Sequence, residues 1–259
     1  MNMATPDQAR PGHMKLAYRL ISPRYYVWHR AWRVWRRGEA SHEEELKLLR
    51  CVVPRDRVAI DVGANRGIYT FFLSRLAAKT VAYEPSPALA LFLKEAHLPN
   101  TEVRESGVSN SAGEQTFFVH FNDKDVPQYN VGHLGGGHPA GRRGMEFPVR
   151  TVRLDDEGLS NVGFIKIDVE GHEWEVIDGA RDLLARCRPN LIVEILEGAG
   201  DRKAVARNKI AVLLDELGYE IYVFSRGGLR PLCDASLKET MRNFVFLPRN
   251  RIAATETMA

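Results

Sequence analysis

The stretch Val58-Ala-Ile-Asp-Val-Gly-Ala-Asn-Arg-Gly67 is a short apolar run ending in an acid and a glycine turn, and Phe164-Ile-Lys-Ile-Asp-Val-Glu-Gly-His172 echoes it about a hundred residues later. Apolar runs of this length, without alternation, read as strands buried on both faces of a parallel sheet, each delivering its terminal carboxylate to a crevice. Two such strand ends make a site. Around them the chain alternates as strand 58–62, helix 67–77, strand 79–83, helix 86–97 and strand 101–105, the order of one half of a doubly wound α/β sheet. Segments 114–121 and 146–154, rich in Phe, Val and Thr, are expected strands. Between them Asn122 to Gly144 holds six glycines and two prolines and is expected to be a long loop, a substrate-side lid. Strand 163–168, a helix from Gly171 to about Arg186, strand 191–196, helix 203–217 and strands 219–224 and 243–247 complete the pattern. Two closing strands without a long helix between them predict an antiparallel pair at one sheet edge.

A chain of 259 residues with 44% apolar and 27% charged residues has material for one large α/β core plus an appendage. The expected division is a basic, Trp-rich helical extension over 1–50, the principal domain over 51–250 and a disordered tail over 251–259. Cys51, Cys187 and Cys233 are odd in number and widely spaced, which speaks against a disulfide framework or a zinc knuckle. No run approaches a membrane span and the first thirty residues lack the pattern of a signal peptide, so a cytoplasmic location is expected.

The net charge of +3 is unevenly spread: residues 1–38 hold eight basic residues against Asp7 alone, a sum of +7 that leaves −4 for the rest. Residues 1–14 read as a disordered leader. From Ser22 and Pro23, a cap and first helical position, Ile21, Tyr25, Trp28, Trp32 and Trp35 form one stripe of an amphipathic helix, with Arg30, Arg33 and Arg37 off it. Aromatic stripes at helical spacing are usually buried, so this one is expected to pack on the parent domain or a second subunit through residues 21–37. Peripheral contact with anionic lipid is the alternative, and no nucleic-acid partner is expected. Ser41, followed by Glu43-Glu44-Glu45, predicts another helix start running to Leu49.

Ligands of open α/β sheets bind beyond the carboxyl ends of the strands, where strand order reverses. Asp61, Gly63 and Gly67 fall at that turn, and Glu84 ends the next strand 21 residues after Gly63, placed to accept both hydrogen bonds of a ribose diol. An adenosine-bearing cofactor is implied. A dinucleotide wants bare amides on the spacing G-x-G-x-x-G, and the middle glycine is missing here. S-adenosylmethionine has no pyrophosphate and needs an acidic strand end, a few loop amides and a polar neighbour such as Asn65; it is the favoured cofactor. Ser106, just past the third strand, and Asp168 join the cofactor-binding set.

Asp61-Val-Gly-Ala-Asn-Arg-Gly67, Tyr83-Glu-Pro85, Phe164-Ile-Lys-Ile-Asp-Val-Glu-Gly171 and Pro189-Asn-Leu-Ile-Val-Glu194 together resemble the FkbM family of S-adenosylmethionine-dependent methyltransferases, over about residues 55–248. The resemblance implies the class I methyltransferase fold, a doubly wound, mostly parallel seven-stranded sheet with an antiparallel edge strand. It also implies methyl transfer to a hydroxyl, often of a sugar, glycan or secondary metabolite. A degenerate member of the fold acting as a binding protein is a second reading, and a dinucleotide-dependent oxidoreductase a third.

A methyl sulfonium is already an excellent leaving group, so alignment of the acceptor oxygen and exclusion of water come first, and a general base adds roughly 10²–10⁴. Asp168, Glu170, His172 and Glu194 are the candidates for that base. Glu170 and His172 are expected at a helix start, where the dipole keeps a histidine neutral. His172 departs from the residues expected there in the family. Asn130, His133 and Lys166 are candidate acceptor contacts, Lys166 being either a site cation or part of a buried ion pair. A divalent ion on Asp168, Glu170 and Glu194 is a less favoured alternative, because no two of these ligands have a diagnostic metal spacing.

Overall fold

The computed structural model describes residues 22–37, 44–129, 132–135, 143–195, 201–225, 228–232 and 243–249. The strands are β1 Val58–Val62, β2 Lys79–Tyr83, β3 Thr101–Arg104, β4 Gly107–Val108, β5 Gly113–His120, β6 His133–Leu134, β7 Gly144–Val152, β8 Val162–Ile167, β9 Asn190–Glu194, β10 Tyr219–Ser225, β11 Gly228–Pro231 and β12 Asn243–Pro248. One sheet runs β11-β10-β12-β9-β8-β1-β2-β3. Its β3, β2, β1, β8 and β9 are parallel, while β12, β10 and β11 are antiparallel. The strand order reverses at β1, which lies between β2 and β8, so the two acid-bearing strands are neighbours. The sheet has eight strands where seven were expected, because β11 folds back on β10 and extends the antiparallel edge.

Strand alternation sends Ile60, Ile165 and Leu191 into the core on one face and Ala59, Phe164 and Ile192 into the core on the other. Both faces are therefore buried, as the unbroken apolar runs require. The helix expected from Gly171 to Arg186 is two pieces, Glu173–Asp178 and Arg181–Cys187. It breaks at Gly179, whose backbone lies so close to Ser109 that a Cβ would stand 2.1 Å from the Ser109 carbonyl oxygen.

A second, four-stranded sheet has the order β4-β7-β5-β6. Part of the expected loop is therefore strand: Leu134 and His133 of β6 pair with Phe117 and Phe118 of β5. Ser41, Asn130, Cys233, the leader and the C-terminal tail lie outside the described residues. A short 3-10 turn, Glu44–Leu48, leads into the helix Leu49–Val52.

The N-terminal helix α1, Pro23–Arg37, corrects one expectation. Its inner face is Val27 and Ala31, both fully buried, with Tyr26 set edge-on to Phe92 at 5.7 Å. Tyr25, Trp28, Trp32 and Trp35 are instead 52%, 45%, 42% and 40% exposed. Small residues go inward because Ala31 lets the helix approach the body closely, and Phe71 and Phe92 fill the space from the other side. Among the described residues no helix is long and apolar enough to cross a membrane.

Candidate active site

The carboxyl ends of β1, β2, β8 and β9 open into a cleft of about 200 Å³. Val62, Gly63 and Asn65 line it from β1, Glu84 from β2, Asp168 and Glu170 from β8, and Glu194 from β9. Ser106 lines it beyond β3, and Phe117, Tyr129, His133 and Leu134 bring in the second sheet.

The glycine turn is set by close packing. Gly63 has φ +80°, and a Cβ there would stand 1.8 Å from the Asp168 carbonyl oxygen. The β1 and β8 turns thus touch backbone to backbone, which only glycine permits. The amides of Gly63 and Ala64 donate to the Tyr83 carbonyl, that of Gly67 to Ala64, and that of Asn65 to Glu84 Oε2 at 2.7 Å. These four amides are spent inside the protein, so they form no nest for a pyrophosphate, and side chains rather than these amides face a ligand. The few loop amides expected to meet the cofactor are not among these four. Asn65 and Glu170, both on the cleft, hold φ of 52° and 55°, a strain that gathers at ligand sites.

Glu84 is only 4% exposed and accepts the Asn65 amide on one oxygen and the Ser86 amide, at 2.9 Å, on the other. Burial pushes its pKa up to about 7, against those two hydrogen bonds. A carboxylate offers about four lone pairs, so two remain for a diol at the cleft. That donor set fits the ribose of an adenosine cofactor. Asp61, 2% exposed, sits behind this surface rather than on it. It accepts the Thr70 hydroxyl at 2.5 Å, and burial raises its pKa to about 6 despite that bond and the Lys166 charge. Gly67 also lies off the cleft, packed on Leu93. The expectation that Asp61 and Gly67 touch a cofactor therefore becomes one of support from beneath.

Asp168 and Glu194 both line the cleft and are hydrogen-bonded side chain to side chain. Burial, and then the Asp168 charge, raise the Glu194 pKa to about 8. Lys166 stands below them, its Nζ 3.8 Å from Asp168 Oδ2 and 3.9 Å from Glu194 Oε2. The ammonium also donates to Asn243 Oδ1 at 3.2 Å and lies 4.9 Å from the centre of the Tyr69 ring. Lys166 is fully buried and off the cleft lining, in the arrangement of the buried ion pair that was one of its two expected roles.

His172 is similarly displaced. It precedes the helix Glu173–Asp178, is 9% exposed, and its Nε2 lies 3.0 Å from Ser109 Oγ. Burial lowers its pKa, opposed by Glu175 and helped by His133, and the ring is not on the cleft lining. Glu170 does line the cleft, although from the loop before that helix rather than from the helix itself. His133 lines the cleft, its ring stacked on Phe118 at 5.6 Å and 5.2 Å from the His120 ring. Among the described residues no group of three or more His, Cys, Asp or Glu side chains is arranged to hold a metal ion.

Thr70, Phe117, Tyr129 and Leu134 were not anticipated. Thr70 lies nine residues after Asp61, and nothing in its spacing marks it as that acid's partner. The other three belong to the wall made by the second sheet, whose face toward the cleft has no local signature.

Among curated proteins the chain is similar to methyltransferase sdnD of Sordaria araneosa, 28% identical over 202 residues, 65% of this chain and 76% of that one. It is also 28% identical over 182 residues to the hexuronic acid methyltransferase AglP of Haloferax volcanii, covering 67% and 70%. The 2-O-methyltransferase NoeI of Sinorhizobium fredii is 28% identical over 148 residues, covering 51% of this chain and 61% of that protein. Residues 61–221, which run from the Asp61 turn past Glu194 into β10, match the model of the methyltransferase FkbM domain, and the chain belongs to the FkbM methyltransferase family.

Proposed function

We propose that this protein is an S-adenosylmethionine-dependent O-methyltransferase whose acceptor is a hydroxyl of a sugar, glycan or secondary metabolite. The observation that carries the reading is one cleft lined together by Glu84, by the Asp168–Glu194 pair and by an aromatic wall of Phe117, Tyr129 and His133. S-adenosylmethionine, when bound, supplies a methyl group on a sulfonium. Glu84 accepts the ribose hydroxyls, and Asn65 and Ser106 border the same region. Asp168 and Glu194 together take up the acceptor's proton as its oxygen turns nucleophilic, work that a positioned carboxylate does best when its pKa lies near the operating pH. Lys166 keeps the two acids adjacent and offsets their charge. The flat wall suits the apolar face of a sugar ring, and relatives named as a 2-O-methyltransferase and a hexuronic acid methyltransferase support a hydroxyl-bearing acceptor.

The test has two arms. Calorimetric titration with S-adenosylhomocysteine is expected to give saturable binding that Glu84→Ala weakens. Incubation with methyl-labelled donor and a panel of hexuronic acids, neutral sugars and hydroxylated metabolites is expected to yield a product heavier by one methylene. A protein that binds the product cofactor and methylates nothing in a broad panel of hydroxyl compounds, yet methylates amines or carboxylic acids, would refute the hydroxyl assignment. Absence of binding would refute the cofactor.

A further inference from the structure

The outward stripe of α1 is the largest feature of the molecule that methyl transfer does not use. Tyr25, Trp28, Trp32 and Trp35 spend at least two-fifths of their surface in solvent, and scattered single aromatics need no explanation whereas a contiguous patch does. The patch is ringed by cations. Helix α1 carries Arg24, Arg30, Arg33, Arg36 and Arg37 and no acid. Arg36 lies over the Trp32 ring at 4.8 Å, and Arg50, from the body, lies over Trp35 at 5.3 Å. Arg75 joins Arg50 and the three tryptophans around a groove of about 240 Å³ that Phe71 and Phe72 also line. Among the described residues none of Arg24, Arg36, Arg50 or Arg75 is ion-paired. Burial, and then the nearby charge of Arg24, lower the Arg75 pKa, and an anion would relieve the second of these.

We infer that this face is a docking surface for an anionic lipid bilayer, with the indoles at the headgroup level and the arginines on lipid phosphates. Indoles favour that depth because their bodies are apolar and their N–H groups remain wet, and a basic amphipathic helix gains from negative lipid as well. Two other occupants fit less well. A second copy docking by the same face would set two acid-free, five-arginine helices against each other. Single-stranded nucleic acid binds by stacking bases on open ring faces. Here Trp28 and Trp32 stack on each other, 6.3 Å between centroids and 15° between planes, while Arg36 and Arg50 cover Trp32 and Trp35.

The full chain is to be sedimented with phosphatidylcholine vesicles, with and without phosphatidylserine, at low and high salt, while tryptophan emission is recorded. Binding is expected only with phosphatidylserine, with a blue shift, and weakened by salt. Trp28→Ser/Trp32→Ser and Arg33→Glu/Arg36→Glu should each reduce it by at least about tenfold with unchanged melting temperature, since each removes one of the two contributions. Protein that stays in the supernatant at low salt overturns the inference. So does vesicle binding indifferent to the tryptophan pair, or binding to a single-stranded oligonucleotide, lost in the same variants, without binding to vesicles. A dimer in sedimentation velocity that the tryptophan pair dissolves, with vesicle binding absent, assigns the face to a second copy instead.

Discussion

Glu194→Gln addresses the proposed chemistry most directly, because it removes a titrating carboxyl while keeping the side chain's shape. Burial and the adjacent Asp168 hold Glu194 at a pKa of about 8, against the pull of Lys166. If the pair takes up the acceptor's proton, the competent form is the one that has lost its own. At pH 7 that is about one molecule in ten and at pH 9 about nine in ten, so wild-type kcat/KM should rise roughly tenfold between them and then level off. In the glutamine variant the limb should vanish, and the rate near pH 9 should fall by roughly 10²–10⁴, or about 3–5 kcal/mol of transition-state stabilisation. Affinity for S-adenosylhomocysteine should change little, because the interaction exists only as the proton leaves. The assay is initial-rate methyl transfer at saturating donor across this range, beside calorimetry on the same preparations. A variant that keeps the wild-type rate and the same limb refutes proton transfer to this pair and leaves alignment and water exclusion as the whole mechanism.

Lys166→Met should move that limb to higher pH, because Lys166 is the charge that holds the Glu194 pKa down; a limb that stays put or moves to lower pH contradicts the role given to the buried ammonium. Glu84→Ala should weaken S-adenosylhomocysteine binding by about 2–3 kcal/mol, the worth of charge-assisted hydrogen bonds, as read by calorimetry. Wild-type affinity should also climb as pH rises through about 7, since burial keeps Glu84 protonated below that point and a diol needs the ionised form; affinity flat across this range counts against the diol contact. Gly63→Ala should lower the melting temperature by at least about 4–8 °C, the equivalent of about 2 kcal/mol, because φ is +80° there and the new methyl meets the Asp168 carbonyl. Scanning fluorimetry that finds no change would show that the β1 and β8 turns can separate freely.

What was legible in the sequence is what depends on one strand alone. A strand buried on both faces must be continuously apolar, so Val58–Val62 and Val162–Ile167 announce themselves, and Asp168 just beyond the second, like Glu84 just beyond Lys79–Tyr83, must lie at the sheet's carboxyl edge. Lys166 in the middle of such a run signals a buried charge, but whether it faces ligand or acid depends on Asn243, Glu194 and Tyr69, which come from three other elements. The cleft wall was illegible for the same reason: β5 and β7 can be read as strands, yet which of their faces meets the main sheet is a relation between two sheets.

The N-terminal helix shows where periodicity misleads. Its apolar residues fall on two neighbouring stripes, one of Val27 and Ala31 and one of aromatic rings, and a reading weighted by side-chain size sends the rings inward. Packing reverses that choice. The helix lies across helices Ile68–Leu76 and Pro87–Glu95, which already present Phe71, Phe72 and Phe92, so the volume between them is filled from the body. A second set of rings on the inner face would push the axes apart and leave the edges of both layers unfilled, whereas Ala31 lets them close to contact. The aromatic stripe is then displaced sideways, where it borders the body at Phe72 and lies open elsewhere. Core packing decides the orientation of α1, and the exposed tryptophans follow from that packing before any partner is considered.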